Sequence, residues 1–195
     1  FCKHHNLNYS SINYYIKNNK AYKGWKFVKK QGFKSKTLPI VDQLQNIINT
    51  LQTNPNDRRI IALFWNPSFN NQKALPECIP FFNLSHCNGI LNLHFHQRSG
   101  DLMIGVPNDI AVYALLLLLL CRETGLKPGI LTASFVDLHI YENHIDVAKL
   151  QLLRTPKDLP NISIENWQGI FNWTHEDVSI LDYHPHDKLT YEIAI

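Results

Sequence analysis

The sequence predicts an α+β fold in which a mixed sheet packs with helices. Three observations carry this. Leu44, Ile47, Ile48 and Leu51 recur at the spacing of one helix face. The stretch "FFNLSHCNGILNLHFHQR" places two strand-like runs on either side of Asn88-Gly89, a pair suited to a tight hairpin. Helical and strand-like segments then follow one another without regular strand–helix–strand alternation, which argues against an all-parallel sheet.

Taken in order, residues 1–33 read as a basic appendage. A cap at Asn8 to Ser10 would open a short helix through Asn18, and "AYKGWKFVKK" then alternates like a strand. "KSKTLP" (34–39) reads as a linker to a domain over 40–195. The helix around Leu44 to Leu51 ends at the turn chemistry of "TNPNDRR". "IIALFW" reads as a buried strand, and the hairpin follows. Ile110 to Gly125 predicts a largely buried helix stopped by Gly125 and Pro128. "TASFVDLHIY" is a further strand, and "HIDVAKLQLLRTP" is helical up to its proline. The tail from Ile162 holds short strands, and no internal repeat is present.

The bulk properties bound the function. A chain of 195 residues with 45% apolar and 18% charged residues is one domain, or one domain and a small appendage. Cys2, Cys78, Cys87 and Cys121 have no CxxC spacing and read as reduced thiols of a cytoplasmic protein. The longest apolar run, Ile110 to Cys121, has 12 residues. About 20 are needed to cross a bilayer, so no membrane segment is expected. The opening on Phe1 leads us to expect a fragment or processed piece. Residues 1–36 hold nine lysines and no acidic residue, whereas the remainder holds ten Lys and Arg against sixteen Asp and Glu. Such a split predicts two pieces with different partners. Lysines interleaved with aromatics suit phosphate-backbone contacts; the plain alternative is a solvated basic arm.

Several residues could carry chemistry, each with an ordinary alternative. Arg58-Arg59 could bind an anion or sit solvated on the surface. Arg98-Ser99 pairs a planar guanidinium with a hydroxyl, the kit for a phosphate clamp. Cys78 could be a buried structural thiol or a nucleophile activated by a nearby arginine. His139 and Tyr141, two apart on a strand, would share a face and could bind a sugar hydroxyl. Asp109 would cap the helix that follows it.

Two resemblances sharpen these readings. The pattern "FCKHHNLNYSSINYYIKN…YKGWKF" resembles the small repeat at the C-terminal end of intron-encoded homing endonucleases, which implies DNA binding by residues 1–33. "DRRI", "ALPEC", "QRSGDLMIGVP", "IAVYALL", "TGLKPG", "DLHIYENHID", "QLLRTP" and "EIAI", in that order, resemble the thymidylate synthase family across residues 40–195. The second resemblance implies one-carbon transfer from 5,10-methylenetetrahydrofolate to C5 of a pyrimidine deoxynucleotide. Cys78 would add to C6. Arg98 and Ser99 would bind the 5′-phosphate, and Arg58 and Arg59 would reach the nucleotide of a partner subunit in a homodimer. His139 and Tyr141 would hold the ribose 3′-hydroxyl, and Gln97 would lie beside the nucleotide. Asp101 would contact the pterin, with Leu75, Gly105, Ala194 and Ile195 lining the folate side.

The chain departs from that pattern in three places. Where the family carries Asn, this chain has Asp109. An amide matches uracil, whereas a protonated carboxyl matches cytosine, and "ND" here resembles the dCMP hydroxymethylases of the same fold. The residues flanking Cys78 are Glu77 and Ile79 in place of Pro and His, and a carboxylate at Glu77 would raise the thiol pKa. The stretch that members carry before the "VDQL" helix, with folate-site tryptophans, a catalytic Glu, a Tyr and another phosphate-binding Arg, has no counterpart. The basic segment stands in its place. The expectation is a nuclease remnant joined to the downstream part of a synthase, with little turnover by the isolated chain. Plain thymidylate synthase, acting on dUMP, stays ahead of dCMP hydroxymethylase as the nominal activity.

Overall fold

Asn88 and Gly89 both adopt positive φ, 49° and 79°, and reverse the chain in a two-residue turn. This is the geometry of a type I′ hairpin, whose twist matches that of the strands it joins. It lies in a computed structural model that describes residues 41–67 and 73–193. The expected segment 1–33, the linker 34–39, and Ala194 and Ile195 lie outside the described residues.

The elements are α1 (Gln43–Thr53), β1 (Ile61–Leu63), β2 (Phe81–Cys87), β3 (Ile90–Asp101), α2 (Gly105–Thr124), β4 (Lys127–His139), α3 (Ile145–Leu152), β5 (Asn161–Ile164) and β6 (Val178–Leu181). Strands β1 to β4 form one sheet in chain order. The first two pairings are antiparallel, and β3–β4 is parallel with α2 as its crossover. A parallel pair needs such a connection, because a two-residue turn cannot return the chain to the same end of the sheet. β5 and β6 form a separate antiparallel ribbon. The mixed α+β class read from the sequence is the class observed.

The core fills the space between the sheet and α1 and α2. Leu44, Ile47, Ile48 and Leu51 of α1 are all buried, as their spacing predicts. They join Phe82, Leu84, Leu91, Leu93 and Phe95 of the sheet and Tyr113, Leu116, Leu119 and Leu120 of α2. Each such side chain contributes about 1.5–3 kcal/mol on leaving water. Asp42 caps α1 by accepting from Gln45 N at 3.0 Å. The Gln43 amide donates to Leu63 O and accepts from Leu63 N, both at 2.8 Å, and so covers the outer edge of β1.

Three elements differ from expectation. β1 is short and alternates, with Ile61 and Leu63 exposed and Ala62 buried, because it is an edge strand covered by helices on one face only. α2 begins at Gly105, five residues before Ile110. Pro107 sits in its first turn, where its missing N–H is no loss. Asp109 is therefore inside the helix and does not cap it; the cap position is Ile104. β4 ends at His139, so Tyr141 lies just past the strand. By length and composition α2 could cross a bilayer. Its Leu116, Leu119 and Leu120 are instead packed wholly inside the core.

β4 carries a bulge. Leu91 faces Pro128 and Leu93 faces Leu131, so Gly129 and Ile130 together oppose Asn92. Asn92 Oδ1 accepts from Ile130 N at 2.7 Å and restores the interrupted ladder. A Cβ on Gly129 would lie 2.3 Å from that same Oδ1, so only glycine fits.

Candidate functional site

The C-terminal half of β3, the loop before β2, the start of α2 and the end of β4 bring the candidate residues together. Arg98, on β3, brackets the loop that carries Cys78. Its Nε donates to Glu77 O and its Nη2 to Pro76 O, each at 2.9 Å. Its backbone N–H donates to Cys78 O at 2.8 Å. The guanidinium also lies 5.9 Å from the Trp65 ring centroid. These bonds use two of the five donors of a guanidinium. The thiol is therefore held beside a fixed positive charge.

That charge does not win. Burial pushes the Cys78 thiol above its ordinary pKa; Arg98 opposes the shift, while Asp109 and Glu77 add to it. The sequence-based concern about Glu77 thus has the right direction, though burial is the larger cause. Lys73 forms an ion pair with one Glu77 oxygen. The other oxygen is buried and makes no hydrogen bond among the described residues. Ile79 packs against the core cluster.

Gln97 is 2% exposed and its side chain reaches α2. Its Nε2 donates to Asp109 Oδ2 at 2.8 Å and to Ser99 O at 3.1 Å. A Cβ on Gly100 would stand 2.9 Å from Val106 Cγ2 and 3.2 Å from Gln97 Nε2, so the glycine makes room for this pairing. Burial raises the Asp109 pKa to about 6, against the lowering effect of the Gln97 amide. Asp109 is therefore ionised for the most part at pH 7 and takes up its proton as the pH falls through about 6.

At the far end of β3, Asp101 pairs in register with His139 of β4. Asp101 Oδ1 accepts from Met103 N at 3.0 Å, and a Cβ on Gly105 would meet Asp101 Cβ at 3.7 Å. His139 and Tyr141 do meet, edge to face, with ring centroids 5.1 Å apart. Leu75 is half-exposed. Arg58 and Arg59 are in the turn between α1 and β1. Arg59 is tied to Asp57 through Nε–Oδ1 at 2.9 Å and Nη2–Oδ2 at 2.7 Å. That pairing lowers the Asp57 carboxyl to about 2. Among the described residues, no cluster of His, Cys, Asp or Glu suits a metal ion.

Residues 15–195 match the sequence profile of the thymidylate synthase family. The chain belongs to the thymidylate synthase family. It is 40% identical over 155 residues to thymidylate synthase of Mycoplasma pneumoniae (strain ATCC 29342 / M129), covering 80% of this chain and 54% of that protein. It is 41% identical over 155 residues to thymidylate synthase of Mycoplasma genitalium (strain ATCC 33530), with the same shares. The chain thus spans about half the length of these curated relatives.

In this thymidylate synthase-family chain, sequence reasoning missed three residues that touch or adjoin the candidate residues. Trp65 was read only as strand, yet it stands by Arg98. Asp57 was read as turn chemistry, yet it neutralises Arg59. His144 is wholly buried and bonds Glu192 O at 2.6 Å. The only signal for it was its place inside "DLHIYENHID".

Proposed function

We propose that this chain performs the nucleotide half of thymidylate synthesis, with Cys78 as nucleophile toward C6 of dUMP. The Arg98 bracket around the Cys78 loop is the observation that supports it most. Addition needs the thiolate, which burial disfavours. A phosphate-bearing substrate would take the remaining Arg98 donors and Ser99, and fix C6 near the sulfur. Addition at C6 moves electron density to C5, where the one-carbon unit is received.

The folate side fits in part. Asp101 offers a carboxylate acceptor with Gly105 packed against it, and Leu75 is a half-exposed apolar side chain. These residues, with Ala194 and Ile195, would hold 5,10-methylenetetrahydrofolate. That cofactor supplies the one-carbon unit and, for a methyl product, the reducing hydride. His139 and Tyr141 would hold the ribose. Arg58, exposed in the turn after α1, would reach a partner subunit's phosphate together with Arg59. A homodimer is supported by the exposed apolar residues Ile61, Leu63, Val136 and Leu138 on the sheet. Residues 1–33, with their lysines and aromatics, would contact DNA. Steep salt dependence, lost on deleting 1–33, is the expected result.

The test of the main reading is covalent trapping. The full chain, incubated with 5-fluoro-dUMP and methylenetetrahydrofolate, should gain the mass of both at Cys78, and Cys78→Ser should gain neither. An unmodified Cys78 would refute the nucleophile assignment.

A second reading, dCMP as substrate, is favoured by one observation. Asp109, raised to about 6, is easily held as an acid. Its O–H would donate to cytosine N3 while its carbonyl oxygen accepts from N4–H. Titration calorimetry with dUMP and dCMP decides between them.

A further inference from the structure

His144 stands at the junction of three chain segments. Its Nε2 lies 2.6 Å from Glu192 O. A carbonyl oxygen only accepts, so Nε2 must carry the proton. The other ring nitrogen, Nδ1, is buried and has no hydrogen-bond partner among the described residues, and Asp101 Oδ1 lies 3.8 Å from it. The second ring nitrogen and the Asp101 carboxylate thus face each other inside the protein, an arrangement sensitive to whatever changes either one.

The surroundings hold the ring in place. Tyr141 and Tyr191 pack against it edge to face, with centroids 5.6 and 5.2 Å away. Asn143 donates to the same Glu192 O at 3.2 Å. Further back, Arg154 donates to Asp187 O at 2.7 Å and Lys157 to Pro185 O at 3.0 Å, so the incoming tail runs along the chain that follows α3. Of these ties, the one at His144 is the contact that also faces a candidate site residue.

We infer that His144 is a positioning residue that couples the Asp101 carboxylate to the main chain of the C-terminal segment at Glu192. A donor that engages Asp101 alters the charge facing Nδ1, and the imidazole passes that change to the Glu192 carbonyl. The inference rests on the proposed function only for the identity of that donor, which would be the pterin ring. The tie itself is a property of the protein without ligand.

The test measures how fast carboxypeptidase shortens the full 195-residue chain past Glu192, followed by mass spectrometry, with near-ultraviolet circular dichroism confirming the fold. His144→Phe keeps the ring's shape and loses both nitrogens; release should quicken about tenfold. Asp101→Asn should change the rate about threefold or more in the wild-type background and leave it unchanged in the His144→Phe background. If His144→Phe does not fold, His144→Gln decides. Its amide N–H can still reach Glu192 O, so the tail should stay protected while sensitivity to Asp101→Asn disappears. A wild-type rate in His144→Phe, or an Asp101→Asn effect that is absent or equal in both backgrounds, overturns the coupling. No ligand enters this measurement, so failure to bind nucleotide or folate would count against the proposed function and leave the coupling standing.

Discussion

The Gln97 amide donates to Asp109 Oδ2 at 2.8 Å and so joins β3 to the second turn of α2. It is a neutral donor against a carboxyl that burial pushes up to about 6 from 3.8. The folded protein therefore binds more protons at this site than the unfolded chain between those two values. Stability from Asp109 is greatest below pH 4 and declines as pH rises through 6. Asp109→Asn should flatten that decline. After solvent screening we expect a gain of about 1–2 kcal/mol at pH 7 relative to pH 4, read from urea midpoints at the two pH values. Equal pH dependence in the two proteins would contradict the shift.

The same substitution reports on the base. An Asn at this position donates to uracil O4 and accepts from N3–H. Asp109→Asn should move the ratio of dUMP to dCMP affinity toward dUMP by about tenfold or more. In the wild-type chain, dCMP binding should strengthen as pH falls from 7.5 to 6, because the acid form of Asp109 is the one that matches cytosine. Calorimetry at both pH values checks this, and tighter dUMP binding throughout would remove the cytosine reading.

Glu77 and Cys78 form a second electrostatic pair. The carboxylate adds to the rise of the thiol, behind burial, the opposing Arg98 and Asp109. Removing it should lower the thiol pKa and raise the thiolate fraction. Glu77→Gln should therefore speed alkylation of Cys78 by iodoacetamide at pH 8 about two- to threefold, measured at that residue by peptide mass. An unchanged rate would show that the Lys73 ion pair already cancels the carboxylate.

Arg98→Lys separates charge from geometry. The lysine keeps a cation near Cys78 but cannot span Pro76 O and Glu77 O as the guanidinium does. We expect a loss of about 1–2 kcal/mol in urea unfolding, since one partly buried carbonyl loses its donor. Trapping by 5-fluoro-dUMP should fall at least about tenfold through loss of the phosphate clamp. Trapping at the wild-type level would assign Arg98 a structural role alone.

How legible the site was depends on the range of each interaction. α1 was legible because Leu44, Ile47, Ile48 and Leu51 obey a local period, and the hairpin because Asn88-Gly89 sets its own turn. The start of α2 was not. Gly105-Val106-Pro107 reads as a loop in isolation, and only packing against β3 places it in the helix. The partners of Arg98 are main-chain carbonyls about twenty residues away, and no side-chain pattern encodes them. His144 and Glu192 are separated by 48 residues, so their contact is a product of the tertiary fold. Residues 1–33 fall outside the described residues, and their reading rests on composition and on the resemblance their motif carries.

The bulge in β4 offers the sharpest structural test. Asn92 Oδ1 and Gly129 occupy one volume: the oxygen bonds Ile130 N at 2.7 Å, and a Cβ at 129 would come to 2.3 Å from it. Asn92→Ala alone removes one hydrogen bond and should cost about 1–2 kcal/mol. Gly129→Ala alone must expel the Asn92 side chain and also press on Ile90 Cγ2, which would stand 2.5 Å away. It therefore loses the same bond and adds strain, for about 2–4 kcal/mol. In the double variant the bond is lost only once and the Asn92 clash is gone. The double variant should thus be at least about 1 kcal/mol more stable than the sum of the single losses predicts, a coupling readable from urea midpoints. Strict additivity would mean that the strand shifts to relieve the contact. In that case the bulge would be set by Asn88-Gly89 and Pro128 and not by the Asn92 side chain.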